Sequence, residues 1–136
     1  MLSNSGYNQY ISNSINTATP EELTLMLYNG LVKFIMQAQS AAIVRDIEKA
    51  NEAIKRAQAI LVEFRSTLNM NYEVSKYLES IYEYMHRQLL QANIKKDKDI
   101  LEEVLGYAKD LRDTWTKAMK LAKQQHNIRP SEVIAK

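Results

Sequence analysis

Residues 46–68 read DIEKANEAIKRAQAILVEFRSTL. Within them Ile47, Ala50, Ile54, Ala57, Leu61, Phe64 and Leu68 recur at steps of three and four. That is a heptad seam, and two such seams pack side by side at a shallow angle. Asp46 stands where an N-cap belongs, just before the first apolar residue of the seam. This stretch predicts a long helix with one buried edge, and a helix of that kind needs partners.

Partners are found on both sides. Upstream, Thr19-Pro20-Glu21-Glu22 has the form of a helix start, with Thr19 as N-cap, Pro20 as first helical residue and Glu22 as the reciprocal acid of a capping box. Leu23, Met26, Leu27, Leu31, Phe34, Ile35 and Ala38 follow as one apolar stripe, and the helix is expected to end between Ala42 and Arg45, with no glycine to mark the point. Downstream, Asn69-Met70-Asn71 breaks the pattern. Val74, Leu78, Ile81, Met85, Leu89 and Ala92 then make a third stripe that ends near Ile94. Asp97 or Asp99 is placed to cap a fourth helix, whose stripe is Ile100, Leu101, Val104, Ala108, Leu111, Trp115, Ala118 and Leu121. Short connections return each helix beside the one before it. The reading is therefore all-α, an antiparallel up-and-down four-helix bundle over residues 19–123. Helices of 20 to 25 residues rise about 30–38 Å at 1.5 Å per residue, so the body should be a rod.

The two ends differ from this body. Residues 1–18 are rich in Asn and Ser, which compete with helix through local hydrogen bonds. Tyr7, Tyr10, Ile11 and Ile15 nevertheless fall at helical spacing, which predicts a weak amphipathic segment that orders when docked. Residues 124–136 turn polar, Pro130 is expected to stop any helix, and the stretch reads as a tail.

Composition narrows the function. Three glycines and two prolines in 136 residues lie far below the roughly 12% combined share of ordinary proteins, in keeping with helix throughout. No cysteine is present, so neither a disulfide nor a thiolate nucleophile is available. The net charge is +2 and acids alternate with bases, so the basic stripe of a nucleic-acid binder is missing. Its densest basic spot, Lys95-Lys96-Asp97-Lys98, reads as a solvated turn. No apolar run is long enough to span a bilayer, and the start of the chain lacks a signal-peptide pattern. A cytoplasmic protein with no membrane insertion is expected.

Catalytic patterns are scarce. Glu83-x-x-His86 has the spacing of one quarter of a di-iron bundle site, but it lies off the third stripe and the only other histidine is His126. A surface polar pair is the expected reading, with no metal, no cofactor and no enzyme. The eight tyrosines point elsewhere. Four of them, Tyr72, Tyr77, Tyr82 and Tyr84, crowd the third helix; Tyr77 and Tyr84 share a face, and Tyr82 lies off it. Tyrosine suits surfaces that are wet alone and buried in a complex, although any one of these rings can simply border the core with its hydroxyl in water. Leu25, Val32, Met36, Ile60 and Leu90 exceed one stripe per helix and either widen the core or line grooves that accept an amphipathic partner helix.

Three stretches resemble a known family. Tyr7-x-x-Tyr10 with Asn16-Thr17-Ala18-Thr19-Pro20-Glu21-Glu22-Leu23 and Leu27-Tyr28-Asn29-Gly30 resembles the opening of the flagellar secretion chaperone FliS. Ile81-Tyr82-Glu83-Tyr84-Met85-His86-Arg87-Gln88-Leu89-Leu90-Gln91-Ala92-Asn93 resembles the family's third helix, and Leu111-Arg112-Asp113-Thr114-Trp115 its fourth. The likeness runs from about Tyr7 to Lys120. It implies a cytosolic chaperone that binds the C-terminal segment of flagellin, disordered in the monomer and helical in the filament. Such a chaperone prevents premature polymerisation and delivers flagellin to the export gate protein FlhA. One departure is evident: Asn69-Met70-Asn71-Tyr72 stands where many members carry a glycine pair. The candidate partner-binding residues are Tyr7, Tyr10, Ile11, Ile15, Leu23, Leu27, Tyr28, Tyr77 and Tyr84. The N-terminal segment is expected to lie in the bundle's groove when the chaperone is empty, either as a lid that the guest displaces or as a clasp that closes over it. The alternative is a bundle that only self-associates, a homodimer serving as a structural or adaptor protein.

Overall fold

The computed structural model describes residues 2–135, with side chains for residue 6 and residues 8–125. Five helices follow one another: α1 (Leu2–Thr17), α2 (Pro20–Ile43), α3 (Ile47–Thr67), α4 (Glu73–Lys95) and α5 (Lys98–Ala135). No strand occurs among the described residues. α2 packs on α3 and on α5, and α4 packs on the same two.

Local chemistry accounts for where the helices begin. Thr19 Oγ1 accepts the Glu22 amide at 3.1 Å and its hydroxyl donates to the Glu22 carboxylate at 3.1 Å. Asp46 Oδ1 accepts the Lys49 amide, also at 3.1 Å. At the start of α5 the cap is Asp97, whose Oδ1 takes the Asp99 and Ile100 amides at 2.9 and 3.3 Å. Where the sequence left Asp97 and Asp99 open, the structure uses the earlier one.

The helix ends are less conventional. α2 closes with Arg45 in the left-handed region (φ 59°), and α4 closes with Lys96 there (φ 51°). The Asp46 and Asp97 amides then reach back to the Ala41 and Ala92 carbonyls at 2.9 and 3.2 Å, the closure that usually employs glycine. Between α3 and α4, Asn69 Oδ1 accepts the Asn71 amide at 3.1 Å and the Asn69 carbonyl accepts the Tyr72 amide at 3.2 Å. An asparagine side chain thus shapes the turn, and none of its residues has a positive φ.

The core joins Leu31, Ile35 and Ala38 of α2 to Ile54, Ala57 and Leu61 of α3, then to Met85 and Leu89 of α4 and Leu101, Val104 and Ala108 of α5. Four members of the expected stripes, Ile47, Val74, Ala118 and Leu121, are exposed: Ile47 and Val74 stand in the first turns of α3 and α4, and Ala118 and Leu121 lie beyond Trp115, the last α5 residue packed against the core. Tyr82, not named in the third stripe and read only as off the face of Tyr77 and Tyr84, is in the core at 2% exposure. The backbone remains helical to Ala135, beyond the expected stop at Pro130. A proline inside a helix forfeits one hydrogen bond and bends the axis, which is costly but permitted. The side chains of His126 and Pro130 lie outside the described residues.

Candidate functional site

Leu23, Leu27, Gly30 and Phe34 follow one another at helical spacing along one side of α2. Ile60, Phe64 and Thr67 do the same on the facing side of α3. Between these rows lies a cavity of about 730 Å³, lined mainly by apolar side chains, with Thr24, Glu63 and Thr67 also in its wall. Ile15 of α1 also borders it, the one α1 residue among those with described side chains to do so. Gly30 allows the two helices to approach closely: a Cβ there would meet Ile60 Cδ1 at 3.2 Å. The Arg56 guanidinium stands 5.7 Å from the Phe34 ring centre and Lys33 Nζ 6.0 Å from it, so this end of the groove carries positive charge against an aromatic face.

Beneath the groove three rings from three helices meet. Phe64 stacks on Tyr28 at 4.5 Å between centres and on Tyr82 at 5.2 Å. The Tyr28 and Tyr82 hydroxyls share a hydrogen bond of 2.6 Å. Burial raises the pKa of both hydroxyls above its ordinary value, and for Tyr82 the bond to Tyr28 adds to the rise. Both rings therefore remain neutral.

The residues expected to bind a partner fall into five groups. Leu23, Leu27 and Ile15 line the groove. Tyr28 is buried at 5% exposure and lies under the groove, so it supports the wall rather than presenting a face. Tyr10 is exposed and Ile11 half-buried, and neither lines the groove. Tyr77 and Tyr84 belong to another surface. Tyr77 is exposed, while Tyr84 donates to Glu103 at 2.9 Å, meets Tyr107 edge-on and carries Arg87 over its ring. That bond to the Glu103 carboxylate raises the pKa of the Tyr84 hydroxyl. The side chain of Tyr7 lies outside the described residues.

Phe34, Ile60 and Phe64 complete the groove and were not among the expected partner contacts. Phe34 and Phe64 read as members of core stripes, since periodicity alone cannot separate a core position from a groove wall beside it. Ile60, just off its seam, was the available signal. A second hollow, of about 620 Å³, surrounds Val32, Met36 and Val44. Among the described residues it has no aromatic lining and none from α1, which makes the α2–α3 groove the stronger site.

Glu83 pairs with Arg87 at 3.1 Å, a turn away on the same helix. Among the described residues no three His, Asp or Glu side chains gather as metal ligands, and no helix is long and apolar enough to cross a membrane.

Residues 3–122 match the family described as Flagellar protein FliS. The flagellar secretion chaperone FliS of Bacillus subtilis is 51% identical over 113 residues, covering 83% of this chain and 85% of its own. That of Campylobacter jejuni is 33% identical over 117 residues, covering 85% and 91%. A crystal structure of a bacterial flagellar chaperone superposes with a TM-score of 0.69 at 16% identity, over 85% of this chain and 96% of that one. A helical body with an open apolar groove and this kinship define a chaperone, not an enzyme. The chain belongs to the FliS family of flagellar secretion chaperones.

Proposed function

We propose that this chain is a cytosolic export chaperone that binds the C-terminal segment of flagellin, prevents its premature polymerisation and delivers it to the flagellar type III export apparatus, through FlhA. The observation that carries the reading is the α2–α3 groove, mainly apolar and open to solvent. A flagellin terminus built to bury an apolar face in the filament exposes that face beforehand. A groove lined by Leu23, Leu27, Phe34, Ile60 and Phe64 can cover it. The guest orders as it docks, which subtracts several kcal/mol from the gross contact energy. Broad contact and ready release are then compatible.

The reading takes α2–α5 as an antiparallel up-and-down bundle. Pairs between opposite helix ends support this. Gln39 donates to Glu102 and the Trp115 indole to the Glu21 carbonyl. Asn93 donates to Asn51 and Arg65 to Glu79.

The test is titration of the chain with a flagellin C-terminal peptide. A saturable one-to-one complex, lost when Leu27 is changed to Glu, is the expected result. A dimer of the free chain that hides the groove and refuses the peptide would favour the self-associating alternative.

A further inference from the structure

α2 and α4 lie opposite each other across the core and do not pack as neighbours. One polar link crosses between them, the Tyr28–Tyr82 hydroxyl bond. The bond closes a triangle of rings whose third member, Phe64, stacks on both tyrosines and is itself part of the groove lining. We propose that Tyr28 and Tyr82 form a strut that holds the Phe64 ring as the floor of the groove, so that both are positioning residues for the guest although neither is exposed to it. This rests on the reading of the groove as the guest site.

The physical reason is the penalty on an orphaned buried hydroxyl. While the two hydroxyls satisfy each other, no buried side-chain polar atom among the described residues is left unpaired. Remove one hydroxyl and the other must find water or go without. The groove is the nearby opening, and Phe64, at 6% exposure, stands between it and Tyr28. Tyr28 can reach that water only by tilting, and the ring stacked on it tilts too. Remove both hydroxyls and nothing is orphaned; two phenylalanines keep the stack and Phe64 stays in place.

The experiment compares wild type, Tyr82→Phe, Tyr28→Phe and the double variant. Each is checked for helix content by circular dichroism, then titrated with a synthetic flagellin C-terminal peptide. In parallel, the Ile60 methyl and Phe64 ring resonances are recorded without peptide. Each single variant should bind on the order of tenfold more weakly and shift both resonances, while the double variant should return to within about threefold of wild type. A merely structural role would lower melting temperature without that restoration. Single variants with wild-type affinity and unmoved resonances would overturn the strut, as would a double variant as impaired as the singles. Should wild type itself refuse the peptide, the guest assignment fails, and the resonances still decide the strut.

Discussion

A single methyl group tests how closely α2 and α3 approach at Gly30. Alanine favours a helix interior over glycine by up to about 1 kcal/mol, and the new Cβ would press on the flexible end of Ile60 at 3.2 Å. Gly30→Ala should leave the melting temperature equal or slightly raised yet weaken peptide binding severalfold, because Ile60 is displaced into the groove. Calorimetry beside a thermal melt checks both halves. The buried tyrosines give a second prediction at this scale. Their hydroxyls titrate above the ordinary value of 10.0 in the folded chain. The native state therefore keeps protons that the unfolded chain releases near that pH, and stability is full below it and lost above it. The loss approaches ~1.4 kcal/mol per pH unit for one such hydroxyl. Urea melts at pH 7, 9 and 10.5 should show a flat stretch and then a fall that the double phenylalanine variant reduces. The Tyr82 core position was hard to read beforehand. Its helix offers Val74 as a better apolar start, and only the partner hydroxyl of Tyr28, 54 residues away, makes a buried phenol affordable.

Helix starts were legible and helix ends were not, for a physical reason. Thr19 and Asp46 announce themselves because a side-chain oxygen must meet an orphaned amide. Arg45 and Lys96 adopt the left-handed closure that glycine makes without strain, and an L residue there bears a cost of about 1 kcal/mol. Arg45→Gly should accordingly raise stability by about 0.5–1 kcal/mol, read as a higher urea midpoint at unchanged slope; a lower midpoint would mean that the arginine side chain contributes something its backbone does not. α1 poses the remaining question at this scale. Ile15 stands at the groove edge while Tyr10 faces solvent. If α1 is a lid in competition with the guest, Ile15→Ser should tighten peptide binding, because intramolecular cover at high effective concentration is lost. Looser binding would make α1 a clasp instead.

Four packed helices share one core, so the molecule should unfold by heat in a single cooperative step with loss of helical dichroism. Leu61→Ala, at a site with no exposure, should cost about 2–5 kcal/mol of that stability. At this scale the general architecture was readable from the four apolar stripes, since each stripe demanded a buried side. The groove was half readable: Leu23 and Leu27 stood out with Ile15, but whether Phe34 and Phe64 faced inward or sideways depends on helix rotation, which periodicity leaves open by a few tens of degrees. The central claim is that this open groove holds the C-terminal segment of flagellin. Calorimetric titration of the chain with full-length flagellin and with flagellin lacking that segment tests it most directly. A one-to-one complex with a negative heat-capacity change for the full-length guest, and no measurable heat for the truncated one, is the predicted result; equal binding of both would contradict it.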